Sequence, residues 1–172
     1  GVALPQSAKD DLSDWLDYIQ NDTNGGSGYT IPTYWFNLLK TGNLLFEFEF
    51  VGDEKEDARV QHALDYIEAH WNDNNPDPGW RNYFGHPHYH AAYCLMKGLE
   101  AMSVETINVG GSDIDWFDEM STRIVDTQNA DGSWPSDYWG NTLLSTEWAL
   151  LTLERVVPMT RVYVDVKPTS CP

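Results

Sequence analysis

Three histidines at alternate positions, His86, His88 and His90 in the stretch GHPHYH, are the residues whose type and spacing most readily do chemistry. His86 and His90 are four apart, a separation that can put two imidazoles on one helix face and hold a metal ion. Histidine is also the usual general base near neutral pH, because its ordinary pKa lies there. Pro87 argues that His86 stands ahead of a helix rather than inside it. The plain alternative is a set of loop and cap histidines. Arg81 and Tyr83 lie just upstream in RNYFGHPHYH and add a cation and a phenol to the same segment.

Other acidic strings are less specific. DNNPDPG offers calcium ligands at Asp73, Asn75 and Asp77, but Pro78 occupies the turn position that calcium loops give to glycine. Ordinary Asx turns are the favoured reading, and calcium is the one cofactor kept open. In DIDWFD, Asp113, Asp115 and Asp118 precede an amphipathic segment, so helix capping explains them best. Asn21-Asp22-Thr23 fits a glycosylation sequon, a triplet common by chance.

The bulk composition limits the partners. Ten Lys and Arg stand against 27 Asp and Glu, for a net charge of −17. Such a field repels nucleic acid, whose affinity depends on basic side chains releasing counterions, and it disfavours anionic membrane surfaces. No run approaches the ~20 apolar residues of a membrane helix. With 41% hydrophobic and 13% aromatic residues the chain can form a core. The segment GVALPQSAKDD lacks the basic-then-apolar layout of a signal peptide, and a removed signal is compatible with it. Of the two cysteines, Cys94 lies in an apolar helical pattern and reads as a buried free thiol; a disulfide to Cys171 is the alternative.

The elements that position these residues recur. Three segments, from Asp14, His62 and Met120, each read as a helix, an Asn/Asp/Gly-rich loop and then an aromatic at Tyr29, Trp80 or Trp134. The repeat is roughly fifty residues, in the range of arrays and toroids. Leu12, Trp15, Leu16 and Ile19 form one helical face, with Ser7 as its expected N-cap. Val60, Leu64, Ile67 and Trp71 form another, and Phe117, Met120, Ile124 and Gln128 a third. These one-sided helices belong on an outside. Residues 91–102 and 143–157 are apolar nearly all round and belong inside. The first partner, 34–51, reads as a helix by analogy, although Gly42-Asn43 looks like a break and LLFEFEFVG alternates like a strand. After Pro158, RVYVDVKP reads as a strand.

QNADGSW, from Gln128 to Trp134, carries the corner of the repeat. A glutamine amide can donate to an unpaired helix-end carbonyl and accept from a neighbouring helix's free N–H. Asp131-Gly132 supplies the reversal, and Trp134, like Trp80, covers the junction.

With Gln128, Gly132 and Trp134 in place, the motif resembles the QW repeat of squalene/oxidosqualene cyclases and protein prenyltransferase β-subunits. The resemblance implies an α/α toroid and extends through the second and third repeats, over half the chain. A full toroid has about twelve helices in two layers, against about six expected here, so it implies half a ring with an open apolar edge. Another half, a second copy or closure by the tail would cover that edge. In such a toroid the segments after each loop face a central cleft: YTIPTYW from Tyr29, RNYFGHPHYH, and PSDYWGN with Asp137, Tyr138 and Trp139. Their aromatic, polar lining suits sugars, carbocations or flat apolar ligands. Arg81, Asn82, Tyr83 and the histidines are also the residue types of toroidal polysaccharide lyases. The family's catalytic signatures are missing: no DxDD acid string, no Asp/Cys/His zinc set, no GCGEQ thioester string.

The expectation is therefore an all-α fold, a partial toroid of about three αα-hairpins over residues 1–158 with a C-terminal extended tail over 159–172. The expected function is a non-catalytic binding or interaction module of a larger, extracellular or cell-surface protein, with a small-molecule or carbohydrate ligand. The alternative is an enzyme, either of terpenoid cyclase or prenyltransferase type or a carbohydrate-active toroid; the alternative location of the chain is cytoplasmic.

Overall fold

The computed structural model describes residues 5–74, 79–137 and 141–155. Among these the chain forms six helices and one hairpin: α1 (Gln6–Ile19), α2 (Leu38–Val51), α3 (Ala58–His70), α4 (Tyr89–Ala101), β1 (Thr106–Val109), β2 (Ser112–Asp115), α5 (Trp116–Asp126) and α6 (Thr142–Leu153). The tail expected as a strand, Cys171, Asn75, Asp77, Tyr138 and Trp139 lie outside the described residues.

Helix α2 packs against α4 and α4 against α6, while α1 and α3 flank α2, and α5 flanks α4 and α6. The expected faces are largely the buried ones. Leu16, Ile19, Val60, Leu64, Ile67, Trp71, Met120 and Ile124 all belong to one core, which also takes in Leu44, Leu45 and Phe48 of α2 and Leu95 and Leu99 of α4. Trp80 and Trp134 are 1% and 2% exposed, as expected. Trp134 donates from Nε1 to the Ile124 carbonyl at 2.7 Å, satisfying a helix-end acceptor. Cys94 is a buried free thiol, its pKa pushed up to about 12 chiefly by burial.

Residues 38–51 are helical throughout, so the strand-like alternation of Phe and Glu there is overridden by packing. Gly42 is no break. A Cβ on it would meet Cys94 and Leu95 backbone atoms at 2.6 Å, and one on Gly98 would meet the Gly42 oxygen at 2.2 Å. Glycine is needed at both because the α2 and α4 backbones touch there. Asn37 caps α2 by accepting from Lys40 N, and Gly52 ends it at φ 111. Asp115 caps α5, accepting from the amides of Phe117 and Asp118, which is the capping role read from DIDWFD.

Three expectations about these helices are corrected. Ser7 is not the cap of α1, which starts one residue earlier after Pro5 and has no side-chain cap. Trp15, placed on the buried face of α1, is 47% exposed. Helix α6 is not enclosed: it buries Ser145, Ala149 and Thr152, and leaves Leu143, Leu144 and Leu150 exposed, its main packing among the described residues being against α4 and α5. The hairpin β1–β2 was not expected. Its register pairs Ile107 with Ile114, and Gly110 and Gly111 turn the corner with φ 62 and 87. A Gly-Gly pair between short alternating runs is a two-residue turn signal, and it was present in the sequence.

The corners repeat in detail, though not as expected. Thr41 and Thr146 each donate to the carbonyl four residues back and accept an amide from the corner, Ser27 N and Trp134 N respectively. Gln128, however, is exposed and donates only within its own loop, to the Gly132 carbonyl at 2.9 Å. It does not join two helices, because its amide is spent on the turn that follows it. The clamp is Gln20. Its buried amide donates to Gly25 O at 3.1 Å and to Arg59 O at 2.8 Å, tying the end of α1 to the start of α3. Asp131 accepts from Ser133 N and Oγ, and its pKa is lowered by those bonds.

Candidate aromatic cleft at the N-terminus of helix α2

An open cleft of about 230 Å³ lies at the start of α2, lined by Tyr29, Trp35, Asn37, Leu39, Lys40 and His90. Its aromatic wall comes from the loop after α1. Tyr29 and Trp35 meet edge to face, with ring centroids 5.5 Å apart, and are 58% and 37% exposed. The Lys40 ammonium sits 4.3 Å from the Trp35 centroid and 5.7 Å from that of Tyr29.

His90 closes the other side. Its ring lies on Trp148 of α6, its Nδ1 is buried without a hydrogen-bond partner, and its pKa is lowered to about 4. Burial is the main cause, with His88 acting in the same direction and Asp137 opposing. His90 is thus a neutral wall residue at ordinary pH. Behind it, His88 caps α4 by accepting from Ala91 N through Nδ1 at 3.1 Å. The same nitrogen lies 3.6 Å from Asp137 Oδ2, too far for a hydrogen bond, so the cap assigns the tautomer. Asp137 accepts instead from the His90 amide, and its own N–H donates to Ser145 Oγ.

The three post-loop segments therefore converge in part. Tyr29 and Trp35 reach the cleft directly, His90 lines it, and His88 and Asp137 support it from within. The remaining sequence candidates lie elsewhere. Arg81 pairs with Glu119 at 2.7 Å and donates to Asn72, joining the loop after α3 to α5. Tyr83 contacts the rings of Phe84, His86 and His88, and His86 stacks on Tyr89. His86 precedes α4, as Pro87 argued, so the His86/His90 helix-face pairing does not form. Asp73 pairs with His70 at 2.8 Å. Among the described residues no group of three or more His, Cys, Asp or Glu is placed to hold a metal ion. The sequon Asn21 is 8% exposed and its amide nitrogen donates to Pro32 O, so the acceptor atom faces inward.

A second cleft of about 180 Å³ adjoins the first, lined by Trp15, Ile19, Ser27, Asn43 and Glu47 and sharing Tyr29 and Lys40 with it. Burial raises the Glu47 pKa, opposed by Lys97. Lys97 in turn donates to Asn43 Oδ1 at 2.7 Å. Sequence reasoning missed Trp15, Lys40, Asn43, Glu47 and Trp148. The signal for three of them was available, because Lys40, Asn43 and Glu47 fall at i, i+3 and i+7, a polar stripe on a helix read as buried.

No family model, curated protein or solved structure matches the chain. No helix among the described residues is long and apolar enough to cross a membrane.

Proposed function

We propose that the chain is a non-catalytic binding module, part of an α/α toroid in a larger extracellular protein, and that the cleft beside α2 holds a sugar. The single observation carrying this is the exposed Tyr29–Trp35 pair over an open cleft. Large aromatic faces left in solvent beside polar side chains suit the apolar faces and hydroxyl edges of a pyranose. The titratable groups nearby serve structure: His88 caps a helix, Asp137 binds backbone, and His90 is packed on Trp148 in its neutral form. In the toroid reading, Leu143, Leu144 and Leu150 mark the edge that another half of the ring would close.

Glu47 supports the alternative, a carbohydrate-active enzyme, because a half-buried carboxyl with a raised pKa can act as an acid. Glycoside hydrolysis ordinarily needs two carboxylates, and Glu47 is the one carboxylate lining the two described clefts. Binding is accordingly the favoured reading. Titrating the isotope-labelled protein with mono- and oligosaccharides should move the Trp35 indole and Tyr29 signals, and Trp35→Ala should weaken binding. If no saccharide perturbs either residue, the sugar-binding module is wrong. Turnover of a bound saccharide that Glu47→Gln abolishes would establish the enzyme instead.

A further inference from the structure

We infer that the two clefts are consecutive subsites of one groove, which takes a linear, uncharged oligosaccharide of two or more rings along α1 and α2. The inference rests on the sugar-binding reading and goes beyond it in length and in charge class.

Length follows from continuity. Tyr29 and Lys40 line both clefts, so the spaces meet there rather than lying on separate faces. Each end has its own aromatic surface, Trp35 in the first cleft and Trp15 in the second, with Tyr29 between them. Trp15 lies on a helix whose apolar face otherwise points to the core, yet nearly half of its surface is exposed. Its neighbours in the second cleft are polar: the Asn43 amide, the Glu47 carboxyl and Ser27. An aromatic platform beside hydrogen-bonding groups repeats, in the second cleft, the chemistry of the first.

Charge selects the ligand class. The aromatic pair is no cage for a cationic ligand, because Lys40 of the same chain already sits against both rings. A polyuronate meets the opposite obstacle. The protein carries a net charge of −17, and in the second cleft the Glu47 carboxyl offsets Lys40, so the groove offers no net positive charge against that field. A neutral chain of sugar rings meets neither penalty, and its hydroxyls can pair with Asn43 and with Glu47 in either protonation state.

The test is calorimetric titration of the full chain with neutral β-1,4-linked gluco-, manno- and xylo-oligosaccharides of one to six rings, and with hexagalacturonate. At least one neutral series should gain about tenfold or more in affinity from one ring to the hexamer, since each stacked ring adds a contact of order tenfold. Trp15→Ala should weaken the hexamer about three- to tenfold and leave the single sugar within about twofold. Trp35→Ala should weaken both. Trp15→Phe should restore part of the hexamer affinity, and unchanged melting curves would exclude misfolding. Equal affinity for one ring and six, or a hexamer indifferent to Trp15→Ala while Trp35→Ala abolishes it, overturns the extended groove and leaves the single-cleft module standing. Preference for hexagalacturonate overturns the charge class. Absence of binding to any saccharide overturns both readings together.

Discussion

The imidazole of His90 lies flat on the indole of Trp148, with centroids 4.3 Å apart and planes 7° from parallel. This contact joins the start of α4 to α6 across the wall of the aromatic cleft, and it fixes the charge state of the histidine. Burial lowers the His90 pKa from 6.5 to about 4. Between those values the unfolded chain binds a proton that the folded chain refuses, so stability from this group is lost as pH falls from about 6.5 to about 4. Urea unfolding over that range should show a shallower pH slope for His90→Gln than for the parent. Parallel slopes would show that the group titrates normally in the folded chain.

Gln20 and Gln128 occupy equivalent places in the repeat but do different things. Gln20 is buried and its amide serves two carbonyls on separate segments, whereas Gln128 is exposed and serves its own turn. Gln20→Ala strands the Arg59 and Gly25 acceptors and should cost about 1–3 kcal/mol. Gln128→Ala should stay within about 0.5 kcal/mol. Chemical denaturation of the two variants side by side decides it, and equal losses would contradict the assignment.

The contact of α2 with α4 depends on two glycines. A methyl group at Gly98 would stand 2.2 Å from the Gly42 carbonyl oxygen, a backbone atom that cannot rotate away. Gly98→Ala should therefore push the helices apart and destabilise by about 1–3 kcal/mol. At Gly52, where a Cβ would meet nothing within 4 Å, the cost of Ala comes from φ 111 alone. A thermal melt unchanged by Gly98→Ala would mean that the helices are not this close.

Trp134 combines a large buried face with a hydrogen bond to the end of α5. Trp134→Ala should cost about 3–5 kcal/mol. Trp134→Phe keeps most of the apolar surface and loses the donor, so it should cost clearly less. If the two substitutions cost the same, the hydrogen bond rather than the packing carries the corner.

Much of the helical framework was legible in the chain. The buried positions of α3 and α5 recur with the helical period, and Asp115 announces its helix by standing just ahead of an apolar pattern. The candidate site was legible only in part. Tyr29, Trp35, His90 and Asp137 were found because each follows a corner of the repeat. Trp15 and Trp148 were not, because the apolar spacing of their segments reads as core; Lys40 and Glu47 were not, because 34–51 reads as a helix only by analogy and its own pattern gives no face.

The sequence by itself determined which residues are able to be buried and where the chain must turn, since periodicity, caps and glycine-rich corners act through neighbours a few positions apart. Only the tertiary structure decided which apolar faces find a partner. Leu16 is enclosed and Trp15 beside it is not; Ala149 is enclosed and Leu150 beside it is not. The physical reason is that burial is a property of pairs of elements. One helix offers a face through its own spacing, but α4 covers one side of α6, and the gap beside α2 exists because the loop carrying Tyr29 and Trp35 folds back over its first turn.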